Sequence, residues 1–193
     1  MIQDIFKTPI YQTYINIDKK ELLDYVDAFR NENMVGVNKS NDSGYQSPNL
    51  DINLPIFKDL IENINDHLYK FGKELNFSTV LNFSSLWFNI NGYKDSNKMH
   101  SHDGIISGVY YSKVPKNSGD LVFYSPNYFS NLNDWGQINF KSYNERNSLT
   151  WKFTPIENVL YFFPSYLFHS VEQNKSIEER ISFSFNFSKV INE

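Results

Sequence analysis

A change of hydrophobic period near residue 79 limits how this chain can fold more than any other feature. Before it, apolar residues recur at helical spacing: Leu22, Leu23, Val26 and Phe29, then Ile56, Leu60, Ile61, Ile64, Leu68 and Phe71. After it, apolar residues alternate at period two, the pattern of side chains that point to opposite faces of a sheet. The spacing predicts a strand over 5–16 and a helix from a capping box at Asp18-Lys19-Lys20-Glu21 to about residue 31. Residues 32–54, rich in Asn, Ser, Asp and Gly, read as a loop, and Pro55 suits the first turn of a second helix that runs to about Leu75. His67 lies beside that helix's apolar stripe and reads as an ordinary helix residue. Strands are expected at 82–91, 105–114, 120–125, 149–154, 158–163, 168–173 and 180–190. Helices first and strands afterwards make an α+β chain, mostly β, with helices packed outside a β-sandwich or barrel. With 193 residues and no repeat or linker, one domain is expected: 1–78 as helical support and 79–193 as the β core.

Three of the four histidines fall where such a core would expose them. His100 and His102 form a His-Ser-His pair at the mouth of an apolar strand, and His169 stands sixty-seven residues further on, at the end of another apolar run. Eleven residues beyond it, Arg180 opens the last strand. A pair at i and i+2 with a distant third histidine lets a β-barrel offer three ligands to one side of a metal. The arginine is placed to bind a carboxylate beside it. This arrangement suits non-haem Fe(II) with coordination positions left open for a cosubstrate and oxygen.

Strand parity assigns faces. Arg180, Ser182, Ser184 and Asn186 share one face of the last strand, opposite Ile181, Phe183, Phe185 and Phe187. Ser85, Trp87, Asn89 and Asn91 oppose Leu86, Phe88 and Ile90, while Ser107, Val109 and Tyr111 oppose Ile106, Gly108 and Tyr110. The aromatic faces need an apolar partner, most simply the helices or a second sheet, and the polar faces can line a wet pocket. The competing reading is an ordinary β-sandwich whose polar faces meet solvent. It leaves the joint spacing of histidines and arginine unexplained.

From about residue 80 to 190 the sequence resembles the Fe(II)/2-oxoglutarate-dependent oxygenases, most of all the small ones of bacteria and marine phages. The resemblance rests on Met99-His100-Ser101-His102, Ser107-Gly108-Val109-Tyr110-Tyr111, Gly119-Asp120-Leu121-Val122-Phe123 with Pro126, Phe162-Phe163-Pro164-Ser165, His169-Ser170-Val171 and Glu179-Arg180-Ile181-Ser182, in that order. It implies a double-stranded β-helix core of the jelly-roll or cupin-like kind. It also implies Fe(II) as metal, 2-oxoglutarate and dioxygen as cosubstrates, and hydroxylation of a substrate with release of succinate and carbon dioxide. His100 and His169 match metal ligands, Arg180 and Ser182 the pair that holds the far carboxylate of 2-oxoglutarate, and Tyr111 a phenol beside the same carboxylate. Asn89 is a further candidate for the cosubstrate pocket. The wider superfamily places a carboxylate where this chain has His102. Either His102 is the second ligand, or Asp103 takes that role or orients His102. Parity disfavours Asp103 within a strand, an objection that a turn at Gly104 would remove.

Other classes fit less well. A cupin-like metal enzyme without 2-oxoglutarate needs no arginine and serine at this spacing, and a non-catalytic jelly-roll binding module predicts no tight iron binding. There is no Gly-x-Ser-x-Gly elbow and no phosphate-cradling glycine motif. The net charge is -4 without a basic run, which argues against a nucleic-acid groove. Cysteine is absent, so thiolate metal sites and disulfides are excluded. The N-terminus has no signal-peptide layout, and the apolar run from Val159 to Phe168 is broken by Pro164 and Ser165. A cytoplasmic protein without membrane contact is expected, and the first helix offers a surface for a homodimer. The segment 126–148, with Tyr128, Phe129 and Trp135, reads as a long loop beside the substrate.

Overall fold

The computed structural model describes residues 1–127 and 138–189. In chain order the elements are β1 (Tyr11–Tyr14), α1 (Lys20–Glu32), β2 (Asn41–Asp42), β3 (Tyr45–Gln46), a 3-10 turn (Pro55–Phe57), α2 (Lys58–Glu74), β4 (Leu81–Asn91), β5 (Ser96–His100), β6 (Ile106–Lys113), β7 (Leu121–Tyr124), β8 (Thr150–Phe153), β9 (Val159–Pro164), β10 (His169–Val171) and β11 (Arg180–Lys189). They form two antiparallel sheets in the orders β1-β9-β6-β11-β4-β3 and β2-β5-β10-β7-β8. This is the expected mostly-β sandwich of the double-stranded β-helix kind, with two helices.

The alternation read from the sequence explains the layering. Phe183, Phe185 and Phe187 of β11 are fully buried with Leu86, Phe88 and Ile90 of β4 and Leu160 and Phe162 of β9. They pack against Leu22 and Val26 of α1 and Leu60, Ile64 and Phe71 of α2. Aromatic rings lock the contact: Phe57 meets Phe183 edge-on at 6.3 Å, and Phe71 stacks on Phe162 at 6.0 Å. On the other side of the six-stranded sheet, Val109, Tyr111, Tyr161 and Phe163 meet Leu121 and Phe123 of β7, which closes the sandwich at one end. The remaining inner surface is polar and becomes a cavity.

Several boundaries differ from expectation. The first strand is shorter than 5–16, because only residues 11–14 find a partner, β9. Asp18 accepts a hydrogen bond from the Lys20 backbone N–H at 2.9 Å, but the helix is capped at Lys19 without a side-chain cap bond, so the expected capping box does not form. The presumed loop 32–54 contains β2 and β3, which extend one edge of each sheet. Two-residue strands carry no periodicity, so only their pairing defines them. The strand β5 was also missed: Ser96-Asn97-Lys98-Met99-His100 does not alternate, since a bulge opposite β10 shifts its register. His67 is a helix residue as expected, and its Nδ1 lies 2.8 Å from the Tyr11 hydroxyl, tying α2 to β1. No described helix is long and apolar enough to cross a membrane.

Candidate metal centre

Two short strands of the five-stranded sheet bring the first two histidines together. β5 ends at His100, β10 begins at His169, and the two residues are direct partners in the ladder. His102 lies just past β5, outside any strand, where its backbone N–H donates to the Ser165 carbonyl at 2.9 Å. Its ring centroid is 4.8 Å from that of His100 and 5.0 Å from that of His169, and His100 and His169 are 4.3 Å apart. One ring nitrogen from each lies within 4.8 Å of the others. Among the described residues this is the group of side chains able to hold a metal ion. Asp103 is exposed and stands outside the group.

Hydrogen bonds orient two of the rings. His100 Nδ1 lies 2.7 Å from the Lys98 carbonyl and His169 Nδ1 lies 2.9 Å from the Leu167 carbonyl. A carbonyl only accepts, so each Nδ1 carries its proton and each Nε2 presents a lone pair. Burial pulls the His169 imidazole down to about 3 and His102 to about 4, and it lowers His100 as well. The three rings are therefore neutral at pH 7, the state a metal requires. Three neutral nitrogen donors that leave part of the sphere open suit a divalent transition metal with exchangeable positions.

The same cavity is lined by Trp87, Asn89, Asn91, Tyr111, Arg180 and Ser182, together with apolar Val109, Leu121, Phe163 and Val171. Arg180 is 1% exposed. Its Nη1 donates to the Ser118 carbonyl and, at 3.2 Å, to the Gly119 carbonyl. No described carboxylate forms an ion pair with it, although Asp95 is close enough to favour its charge. A buried guanidinium bonded only to neutral carbonyls is costly unless an anion completes it. In the ladder Ser182 stands opposite Tyr111 on one side and Asn89 on the other, so these three groups surround one point on the cavity wall. Burial pushes the Tyr111 phenol up to about 12, which keeps its proton available for donation. Asn89 donates through Nδ2 to Ser184 Oγ at 3.2 Å, and its buried Oδ1 has no partner among the described residues.

The structure thus brings every expected residue except Asp103 to one cavity. It adds two that sequence reasoning did not single out. Asn97 and Ser40 also line the wall, joined by bonds from Asn91 Nδ2 to Asn97 Oδ1 at 3.3 Å and from Asn97 Nδ2 to Ser40 Oγ at 3.2 Å. Both lie in the segments whose strands were missed, so no face could be assigned to them. Tyr128, Phe129 and Trp135 of the expected substrate loop lie outside the described residues.

Residues 85–186 match the profile of the family described as "Putative 2OG-Fe(II) oxygenase". No curated protein matches the chain. Among solved structures, the chain is similar to a prolyl-4-hydroxylase of Pseudomonas putida, with TM-score 0.66 and 13% identity over 95% of this chain and 94% of the other. It is also similar to the viral collagen prolyl hydroxylase of Paramecium Bursaria Chlorella virus-1 in its 2OG complex, with TM-score 0.61 and 11% identity over 94% and 96%. HygX from Streptomyces hygroscopicus, with nickel and 2-oxoglutarate bound, matches with TM-score 0.58 and 13% identity over 94% and 83%. At these identities the likeness is one of fold.

Proposed function

The chain belongs to the 2OG-Fe(II) oxygenase family, and from that premise we propose that it hydroxylates a C–H bond of an organic substrate, with 2-oxoglutarate and dioxygen as cosubstrates. The observation that carries this reading is Arg180, a buried cation with no carboxylate partner, facing the same cavity as three neutral imidazoles. In this reading His100, His102 and His169 hold Fe(II) through the nitrogens turned toward one another. Arg180 and Ser182 bind the far carboxylate of 2-oxoglutarate, the guanidinium through the N–H groups not spent on Ser118 and Gly119. Tyr111 donates its retained proton to the same carboxylate, and Asn89 completes the cosubstrate wall. The chemistry supplied by bound iron is the reduction of dioxygen, coupled to loss of carbon dioxide from the oxoacid and to hydroxylation of the substrate, leaving succinate.

The protein's own part is placement and exclusion of water. The carbonyls of Lys98 and Leu167 fix two ligand rings, which preserves the donor geometry between turnovers. Val109, Leu121, Phe163 and Val171 dry the wall around the reacting groups. The chain acts as one oxygenase-like unit in which α1 and α2 support the core from outside, while β1, β2 and β3 extend its sheets. A cupin-like enzyme that takes no oxoacid would have no use for the guanidinium. The deciding measurement is succinate release from 2-oxoglutarate with Fe(II) under air. Turnover that needs both iron and the oxoacid supports the reading. Binding of neither ligand in anaerobic calorimetry would overturn it.

A further inference from the structure

Among the described residues, three buried side-chain polar atoms have no hydrogen-bond partner: Gln46 Oε1, Asn89 Oδ1 and Ser118 Oγ. The first two belong to neighbouring residues. β3 pairs with β4 so that Gln46 stands opposite Asn89 and Tyr45 opposite Ile90. Tyr45 and Ile90 pack in the core shared with α1 and α2. Gln46 is the next residue along β3, so it shares the other face with Asn89, the face that lines the cavity. Gln46 is 5% exposed and Asn89 7%. The polar groups around them are paired. Ser47 Oγ donates to the Pro48 carbonyl at 2.8 Å and accepts from the Phe88 backbone N–H at 3.0 Å. Asn91, Asn97 and Ser40 are joined in one chain of bonds. Two adjacent amide oxygens are thus left open in a wall whose neighbouring polar groups are satisfied.

A buried acceptor without a donor costs free energy until a ligand provides one. 2-Oxoglutarate does not, since as a dianion it carries no N–H or O–H. Directly opposed residues of an antiparallel ladder have Cβ atoms about 4.5–5.5 Å apart, so both oxygens can reach one nitrogen. An NH2 group offers two donors where a hydroxyl offers one. No Asp or Glu lines the cavity, and Arg180 is buried in it, so an ammonium group would stay uncompensated. A neutral carboxamide meets both demands, and since it carries donors and an acceptor the match holds for either orientation of the two side-chain amides. Trp87 stands two residues along β4, roughly 7 Å from Asn89 on the same face, and its ring centroid is 5.5 Å from that of His102. A molecule held at Gln46 and Asn89 therefore extends to the histidine end of the cavity.

We propose that Gln46 and Asn89 form a subsite for the primary substrate and that they recognise a carboxamide on it through its N–H groups. This rests on the reading given under Proposed function, and the experiment separates the two. Calorimetry first measures Mn(II) and 2-oxoglutarate binding to the full chain and to Gln46→Met, and thermal melts compare the two ligand-free proteins. The Mn(II)- and 2-oxoglutarate-loaded proteins are then mixed with trifluoroacetamide, its N,N-dimethyl derivative or trifluoroethylammonium, and fluorine relaxation by the bound Mn(II) is recorded. In the parent, trifluoroacetamide should relax fastest, and the dimethyl derivative, which lacks the N–H groups, should show an enhancement about threefold or more lower. Gln46→Met should lower the trifluoroacetamide enhancement by a similar factor and leave the dimethyl derivative unchanged. It should also keep or raise Tm, since it removes a buried oxygen that has no partner among the described residues. Gln46→Glu keeps an acceptor oxygen and should retain the preference for trifluoroacetamide over its dimethyl derivative. Three results overturn the inference while leaving the oxygenase reading intact: a parent that does not favour trifluoroacetamide over the other two probes, a preference indifferent to Gln46→Met, or a preference lost in Gln46→Glu. A clear fall of Tm or of 2-oxoglutarate affinity in Gln46→Met also overturns it, because the amide would then serve the fold or the cosubstrate. If the parent itself binds neither Mn(II) nor 2-oxoglutarate, the oxygenase reading falls and takes the inference with it.

Discussion

Single residues carry the chemistry here because their environments deprive them of ordinary partners. Arg180 is held by two carbonyls and forms no ion pair with a described carboxylate, so replacing it should cost the ligand that supplies one. A charged hydrogen bond of this kind contributes about 1.5–3 kcal/mol, so Arg180→Ala should weaken 2-oxoglutarate about tenfold or more while sparing metal affinity. Calorimetry with the metal-loaded protein checks this, and unchanged oxoacid affinity would remove Arg180 from the site. His169, 4% exposed and bonded through Nδ1, presents its other nitrogen to the cluster. His169→Ala should abolish measurable Fe(II) binding under anaerobic conditions, and His102→Ala should weaken it, whereas Asp103→Ala should leave it near the parent value. Loss of binding in Asp103→Ala with binding kept in His102→Ala would make Asp103 the second ligand. At this scale the sequence was informative wherever an unusual residue type coincided with a strand end, as at His100, His169 and Arg180. The choice between His102 and Asp103 was not legible. Residues 101–105 belong to no strand, and alternation does not apply to them.

Elements position these residues, and glycine decides how closely they approach. Gly119 has φ +85, and a Cβ there would lie 2.3 Å from the Glu172 carbonyl oxygen. Its own carbonyl accepts from Arg180. Gly119→Ala should therefore lower both thermal stability and 2-oxoglutarate affinity, because the strained turn moves an acceptor that holds the guanidinium. Gly108 offers a contrast on β6: a Cβ would meet the Phe185 ring at 2.4 Å and the Tyr161 carbonyl at 2.5 Å. Gly108→Ala should cost about 1–3 kcal/mol of stability through overpacking, measured by denaturant unfolding of the metal-free protein. A neutral result would mean that the sheet has more slack there than the contact distances allow. The long strands β4, β6 and β11 were readable because eight or more alternating residues repeat the same signal. β2, β3 and β5 were not, since they are short or bulged and exist only through their partners.

The whole molecule is a sandwich with helices on one outer face and a polar cavity left between its sheets. Since the ligand rings come from distant parts of the chain, metal and oxoacid should bind the folded state and not the unfolded one. Each ligand at a hundred times its Kd should then add about 2.7 kcal/mol to the stability, seen as a rise in Tm with Ni(II) and a further rise with 2-oxoglutarate. In His169→Ala the metal increment should vanish. A parent whose Tm ignores both ligands would contradict a preformed site. The sequence by itself determined the fold class, the two apolar helix stripes, the faces of the long strands and the places of His100, His169 and Arg180 at strand ends. Each of these follows from local period or from a rare side chain at an element's end. Only the tertiary structure decided that His102 joins His100 and His169, that Asn97 and Ser40 complete the wall, and that Arg180 meets no carboxylate among the described residues. Those outcomes depend on which segments pair across the sandwich, and pairing between residues far apart in sequence leaves no periodic trace along the chain.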